Sequence, residues 1–480
     1  LIYHQSVLVV QTQLKSSHRN SKLVAIKKIK IKITDKLTFE TTFGAQYSNS
    51  IFKSVGNPFY GTARNDQGNI TQTNTERLTT NFLQLLRYRN EFGNHSLEAL
   101  VAHEGNKFES NFTSTFKTKV VNPDIDELNQ YILQPSPTSG GRSTRTLESY
   151  FGQINYDFND TYYLTLSGRR DGSSKFAFNK WETFYSIGGA WIISNEDFMS
   201  DSFINFLKLK ASYGTTGDEA GVAFYTGIDS FTIGAPDPDG GFVFTDDPAQ
   251  NPEITWETAV QYQAGLEFSL GNWLDGSIDY FIKDTENLFF TRTNTISTGV
   301  ATLLINEGVL RNNGLEFDLT GHIINNDDFK LDLTVNGAML DNEILEMYIS
   351  PQTGEQEVID TRNGVFAYSV GSSIFDFYTR EWAGVDPSDG APMWYEYYDD
   401  QNNNGVLDSG EELNGVGLVQ YLATTTNENP NMQRRITKTY SDATEKYVGK
   451  SAIPDVSGAF RLSAKYKNWN LSTQFTYQIG

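Results

Sequence analysis

A side-chain period of two, repeated along most of the chain, constrains this sequence more than any other feature. Residues 37–48 read Leu-Thr-Phe-Glu-Thr-Thr-Phe-Gly-Ala-Gln-Tyr-Ser. Leu37, Phe39, Phe43, Ala45 and Tyr47 therefore fall on one face, and Thr38, Glu40, Thr42, Gln46 and Ser48 on the other. Successive strand residues point to opposite faces, so such a run is apolar on one side and polar on the other. The pattern returns at 260–270, 315–323, 329–339, 460–466 and 469–479. Strands of about ten residues, with one face for lipid and one for a wet lumen, are what an outer-membrane barrel requires. The expected fold is all-β, a transmembrane antiparallel β-barrel with long extracellular loops.

A soluble β-sandwich also alternates, but it closes after about seven to nine strands. Thirteen segments qualify here without a natural break: 37–48, 79–91, 95–109, 146–158, 161–171, 181–193, 206–214, 256–270, 273–285, 312–324, 328–341, 457–466 and 469–479. The odd count predicts one more strand, since single-chain bacterial barrels are even-numbered. Further strands are expected inside 341–456, near 375–382 and 393–398. No run of 18 apolar residues occurs, which excludes a helical membrane protein. The 25 Tyr, 32 Phe and 7 Trp supply aromatic girdles for two membrane interfaces.

Connections alternate in length. Gly93-Asn94, Asn159-Asp160, Gly271-Asn272, residues 325–328 and Lys467-Asn468 carry the residues that tight hairpin turns need. Links over 49–78, 110–146, 215–255, 285–312 and 341–456 are long, which predicts periplasmic turns on one side and extracellular loops on the other. All 13 Pro fall in these long links, as the missing N–H donor demands.

With no Cys, disulfides and thiolate metal sites are excluded. A net charge of −21 argues against nucleic acid as a partner. Residues 1–36 nevertheless hold eight Lys or Arg against a single acid, Asp35. Residues 1–35 read as a poorly specified lead-in, neither strand nor plug nor signal peptide. The barrel domain is placed at 36–480.

Several segments carry a family resemblance. The stretch Ser167-Gly-Arg-Arg-Asp-Gly-Ser-Ser-Lys-Phe176 resembles the Arg-x-Asp-Gly-Ser-Ser-x-Phe segment of SusC/RagA-like TonB-dependent transporters. Leu207–Gly217, Asn251–Glu257, Gly276–Lys283, Asn312–Phe317 and Glu381–Pro392 follow in the same order. The resemblance implies part of a barrel of about 22 strands that normally holds a plug, in the outer membrane of a Bacteroidetes-type bacterium. It implies TonB-energised import of oligosaccharides or peptides with a SusD-like surface lipoprotein. No plug domain or TonB box is legible before residue 35, so contact with the TonB complex is expected through a region N-terminal to this chain. The chain reads as the C-terminal two-thirds of such a barrel. A passive porin or secretion-associated barrel, and an all-β surface adhesin or hydrolase, are the competing readings.

One local motif stands apart. Asp400, Asn402, Asn404, Gly405, Val406, Asp408 and Glu411 fit the calcium-loop template at every specified position. Oxygen ligands are expected from the side chains of Asp400, Asn402, Asn404, Asp408 and Glu411 and from the Val406 carbonyl, while Gly405 makes the sharp turn. The competing reading is an acidic surface loop, since no helices flank it. The aromatics Phe375, Phe377, Tyr378, Trp382, Trp394, Tyr395, Tyr397 and Tyr398 crowd the same region and suit sugar stacking or loop packing. No serine-hydrolase elbow, Walker loop or zinc-protease motif is present, so no enzyme is expected.

Overall fold

A computed structural model describes residues 14–228, 230–236, 241–246, 251–361 and 364–480. The first 13 residues of the expected lead-in and parts of the 215–255 link lie outside these. The main strands are β1 (Leu14–Lys32), β2 (Leu37–Gly56), β3 (Asn69–Phe92), β4 (His95–Val120), β5 (Ser139–Phe158), β6 (Tyr162–Ser173) and β7 (Trp181–Ile192). They continue with β8 (Ile204–Asp218), β9 (Glu257–Leu270), β10 (Leu274–Glu286), β11 (Val309–Asn325), β12 (Phe329–Glu346), β13 (Val456–Tyr466) and β14 (Trp469–Ile479). Hydrogen-bonded neighbours follow chain order from β1 to β14. None of these strands contains Pro.

The chain divides into two compact units. The first holds β1 to β4, most of β5, residues 167–183 and the short segment Val222–Thr226. Its ladders are long: β3 has 24 residues and β4 has 26. The second unit holds Tyr156–Leu166, Phe184–Gly221 and Gly227–Gly480, and with them β8 to β14. Turn chemistry explains the tight hairpins. Asn159 and Asp160 both take positive φ, 58° and 50°, as a two-residue turn matching the strand twist requires.

Two readings are corrected. Residues 14–32 form a full strand, paired with β2 from Leu14 opposite Gly56 to Lys32 opposite Thr38. The basic content masks a strict alternation, Lys28-Ile29-Lys30-Ile31-Lys32, in which Lys28 and Lys30 reach Glu40 at 2.7 and 3.3 Å. With it, the continuous path of the main sheet has 14 strands among the described residues. The strands expected inside 341–456 exist, but they are not barrel staves. Asp376–Arg380 pairs with Glu445–Ser451, and Trp382–Val385, Pro392–Asp399 and Met432–Thr437 make a separate three-stranded sheet.

Aromatic contacts mark two levels on the apolar face. In the second unit, Phe158, Tyr162 and Trp191 stack beside the Asn159-Asp160 turn, with successive centroids 6.3 Å apart. Tyr185, Tyr213 and Tyr262 form a row at the other level, at 5.9 and 4.9 Å. In the first unit, Phe92 stacks on His95 beside its turn, and Tyr150 contacts His103 and Trp181 at the far level. Within the first unit, His95 and His103 stand eight residues apart on β4. That is about 26 Å of strand, or about 20 Å after tilt, close to the ~25 Å apolar band of such barrels.

Packing in the loops is conventional. Phe290, Ile305, Ile344, Met347 and Tyr348 form one buried cluster, and Ile359, Ala367 and Tyr378 a smaller one. These clusters give the loops of the second unit folded cores of their own.

Candidate functional site: the polar wall and the loop region

The ladder of β9 shows how the two faces separate. Ala264 lies opposite Ala211 and Tyr280, Leu266 opposite Leu209 and Ile278, and Phe268 opposite Leu207 and Gly276. The alternate residues build a polar network, although Gln263 lies opposite Phe281 and Ser269 opposite Phe206. Glu267 takes Lys208 at 3.2 Å and Lys210 at 3.0 Å, Lys210 also reaches Asp279 at 3.0 Å, and Gln263 donates to Asp279 at 3.1 Å. Nearer the short turns, His322 stands between Asp332 at 2.6 Å and Asp275 at 3.0 Å, and Ser269 donates to Asp275 at 2.5 Å. These charges are partly solvated, so each pair contributes only about 0–1 kcal/mol. Their consequence is facial: lipid on one side, water on the other.

The first unit repeats the design through the motif at 167–176. Arg169, Asp171, Ser173 and Lys175 alternate onto the polar face, and the last three are buried. Arg169 donates to Asp171 at 2.7 Å, to the fully buried Ser149 at 2.8 Å and to Glu104 at 3.3 Å, and its guanidinium lies 4.9 Å from the Phe151 ring. Asn81 donates to Glu104 at 2.6 Å. Lys175 sits 5.6 Å from the ring of Phe224, which stacks on Phe108 at 5.8 Å. The motif thus ties β3, β4, β5 and β6 through their polar side chains.

The calcium-type loop is organised around two acids. Asp400 is 2 % exposed, and its carboxylate accepts the backbone N–H groups of Asn404 at 3.0 Å and Gly405 at 2.9 Å. Glu411, also buried, accepts those of Gln401 at 3.1 Å and Asp408 at 2.9 Å. Asn402 and Asn404 both turn their amides to Asp408, at 2.8 and 2.6 Å. These two hydrogen bonds hold the Asp408 carboxyl below its ordinary range. The Val406 side chain is exposed, and its N–H donates to Asn404 at 2.7 Å. Gly405 has φ 72°, the left-handed turn its position calls for. So the structure gathers Asn402, Asn404 and Asp408 at one point and turns Asp400 and Glu411 to the backbone. Among the described residues no three His, Cys, Asp or Glu side chains stand close enough to share an ion.

Sequence reasoning missed the residue that anchors this region. Asp399, immediately before the motif, has no exposed surface. Burial pulls its carboxyl upward, but hydrogen bonds from Asn427 at 2.7 Å, Tyr421 at 2.8 Å and the Asn431 N–H at 2.8 Å outweigh it, and the net shift is downward. An acid ending the aromatic run Trp394–Tyr398 was the available signal. The aromatics divide by role: Tyr378 and Tyr398 are buried, while Trp382 and Trp394 meet edge to face at 5.9 Å. Burial pushes the Tyr378 phenol up to about 12. Beside this sheet a polar cavity of about 350 Å³ is lined by Arg380, Glu396, Tyr397, Glu412, Arg435 and Glu445.

The comparisons with known proteins agree with this geometry. The family described as TonB dependent receptor-like, beta-barrel matches residues 14–479. The chain belongs to the TonB-dependent receptor β-barrel family. It is 28% identical over 469 residues to TonB-dependent receptor P3 of Formosa agariphila, covering 93% of this chain and 43% of the relative. It is 30% identical over 285 residues to TonB-dependent receptor SusC of Bacteroides thetaiotaomicron, covering 56% of this chain and 28% of the relative. The fold matches the solved structure of the RagAB peptide transporter with TM-score 0.78 and 23% identity, covering 98% of this chain and 49% of the other. The chain thus spans less than half the length of these relatives. Membership of this family places it in the outer membrane.

Proposed function

We propose that the chain forms a large part of the barrel wall of a SusC-like importer, which takes up oligosaccharides or peptides with energy from TonB and with a SusD-like lipoprotein as partner. The observation that carries this reading is the family match over the same residues that build the two-faced sheet. The paired Lys, Asp, Glu and Arg residues of the polar wall suit a wet lumen, and the folded loops of the second unit offer a surface for a lid. The test is uptake of labelled oligosaccharide and peptide pools by cells carrying the full-length gene, with and without a working TonB complex. Uptake that survives loss of TonB would favour a passive porin. Hydrolysis of the pools without uptake would favour a surface hydrolase.

The 400–411 loop is assigned, as part of the same reading, a calcium-type site that fixes the shape of an extracellular excursion. Support comes from the full template match and from the meeting of Asn402, Asn404 and Asp408. Calcium there would be a structural clamp, with Asp400, Asn402, Asn404, Asp408, Glu411 and the Val406 carbonyl as its oxygen donors.

A further inference from the structure

A cavity of the first unit opens on its apolar face, not on its polar wall. It measures about 430 Å³. Phe43, Phe82 and Gly105 lie side by side on neighbouring strands, on the face that also carries Tyr47, Leu78 and Val101. Gly105 leaves a dent, because a Cβ added there meets nothing within 4 Å. Across the dent the Trp181 ring lies flat over Gly172, where an added Cβ would stand 2.7 Å from the indole. Thr80, Thr146 and Ser174 line the space between, and the Ser174 hydroxyl accepts the Thr146 N–H at 2.9 Å.

Its height on the wall is defined by neighbours. Tyr150, which contacts His103 and Trp181, belongs to the aromatic level far from the short turns. Interfacial aromatics sit at the depth of lipid headgroups. At that depth the cavity presents exposed Lys107 and Lys180, with Arg170 6.0 Å from the Trp181 ring. Acids are also present: Glu109 takes Lys107 at 3.1 Å, and Glu148 takes His103 at 3.2 Å. The mouth is nonetheless cationic in a chain whose net charge is −21.

We propose that this cavity holds the anionic, sugar-built headgroup of an outer-leaflet lipid. Lys107 and Lys180 take its phosphate, and the hydroxyls of Thr80, Thr146 and Ser174 face its sugar. Phe43, Phe82 and Trp181 provide the ring faces against which the sugar and the first acyl carbons pack. Position selects the occupant: a cavity on the lipid side, at interface depth, meets lipid before any solute. Charge selects the headgroup, since lysines near a membrane surface favour anionic lipid.

The test uses the full-length protein in phosphatidylcholine nanodiscs doped with monophosphoryl lipid A. After repurification in detergent, bound glycolipid per folded barrel is counted by mass spectrometry. Folding is scored by heat-modifiable gel migration. Wild type should retain the phosphorylated glycolipid above phosphatidylcholine. The double variant Lys107→Glu, Lys180→Glu should lose about tenfold or more of that retention. Gly105→Phe, which fills the dent without changing charge, should lose it as well. Inorganic phosphate should not displace the lipid. Equal retention by wild type and both variants overturns the proposal. So does full displacement by inorganic phosphate, which would define an anion site, or equal retention of the dephosphorylated glycolipid.

Discussion

Tyr421 donates its hydroxyl to Asp399 at 2.8 Å, joining the 418–424 helix to the end of strand 392–399 through a carboxylate that water does not reach. With Asn427 and the Asn431 N–H on the same group, one side chain fixes three separate points of the excursion. Asp399→Ala should therefore loosen residues 400–431 together, at a cost of about 3 kcal/mol, because several donors to a charged acceptor are orphaned at once. Hydrogen exchange over that segment reads it, and unchanged exchange would refute the hub. The pH dependence has a fixed sign. A folded-state pKa held below its unfolded value gives stability that is complete above the ordinary carboxylate range, about 3.9, and fades as pH falls through the lowered value. Asp399→Asn should remove that acid sensitivity while keeping part of the protection.

The facing of β9 can be tested by a pair of substitutions. Leu266→Arg puts a charge on the lipid side near mid-band, where it costs about 2–4 kcal/mol. Gln263→Arg puts the same charge beside Asp279, on the polar wall. The folded fraction, scored by heat-modifiable migration, should fall sharply for the first and little for the second. Equal losses would mean that the faces are assigned wrongly.

Arg169 is not exchangeable with lysine. Its planar fork serves Asp171, Ser149 and Glu104 at once. Arg169→Lys should lower barrel stability against urea by about 1–2 kcal/mol, the side chain being partly solvated. Arg170→Lys, on the opposite face, should cost less. A reversed order would detach the motif from this role.

For the 400–411 loop, calcium should slow proteolysis between Asp399 and Leu413 in the wild type, and a chelator should reverse it. Glu411→Gln should lose this protection while the barrel stays folded, since the twelfth-position carboxylate is the bidentate ligand of such loops. A structure with calcium should show oxygen distances of about 2.3–2.6 Å. Identical cleavage with and without chelator would leave the loop as a turn closed by its own hydrogen bonds.

The thirteen alternating segments all became strands, because a face buried in lipid writes its period into the sequence. Their far ends did not show. Residues 49–56 and 69–78 extend β2 and β3 beyond the apolar band, where Ser, Thr, Asn and Gln occupy both faces and no alternation remains. β1 was hidden for a related reason: its lysines look like a tail until Glu40 is placed opposite them. In the loop, the template names Asp400 to Glu411, and the structure does bring three of those side chains together. Asp399 stayed invisible because its value lies in contacts with residues 421, 427 and 431, a separation that no local spacing encodes.

The length of the β3–β4 hairpin has a mechanical consequence. Its paired strands run from the Gly93-Asn94 turn to Asn69 opposite Thr118, well beyond the ten or so residues that a bilayer crossing needs. The extension is braced from the side, because β2 stays paired with β3 as far as Gly56 opposite Asn69. Force applied at the tip is therefore shared with β2 on its way to the root. There Arg87 and Arg89 grip Glu98 from two positions on the neighbouring strand, and a two-point grip resists shear along the ladder as well as separation across it.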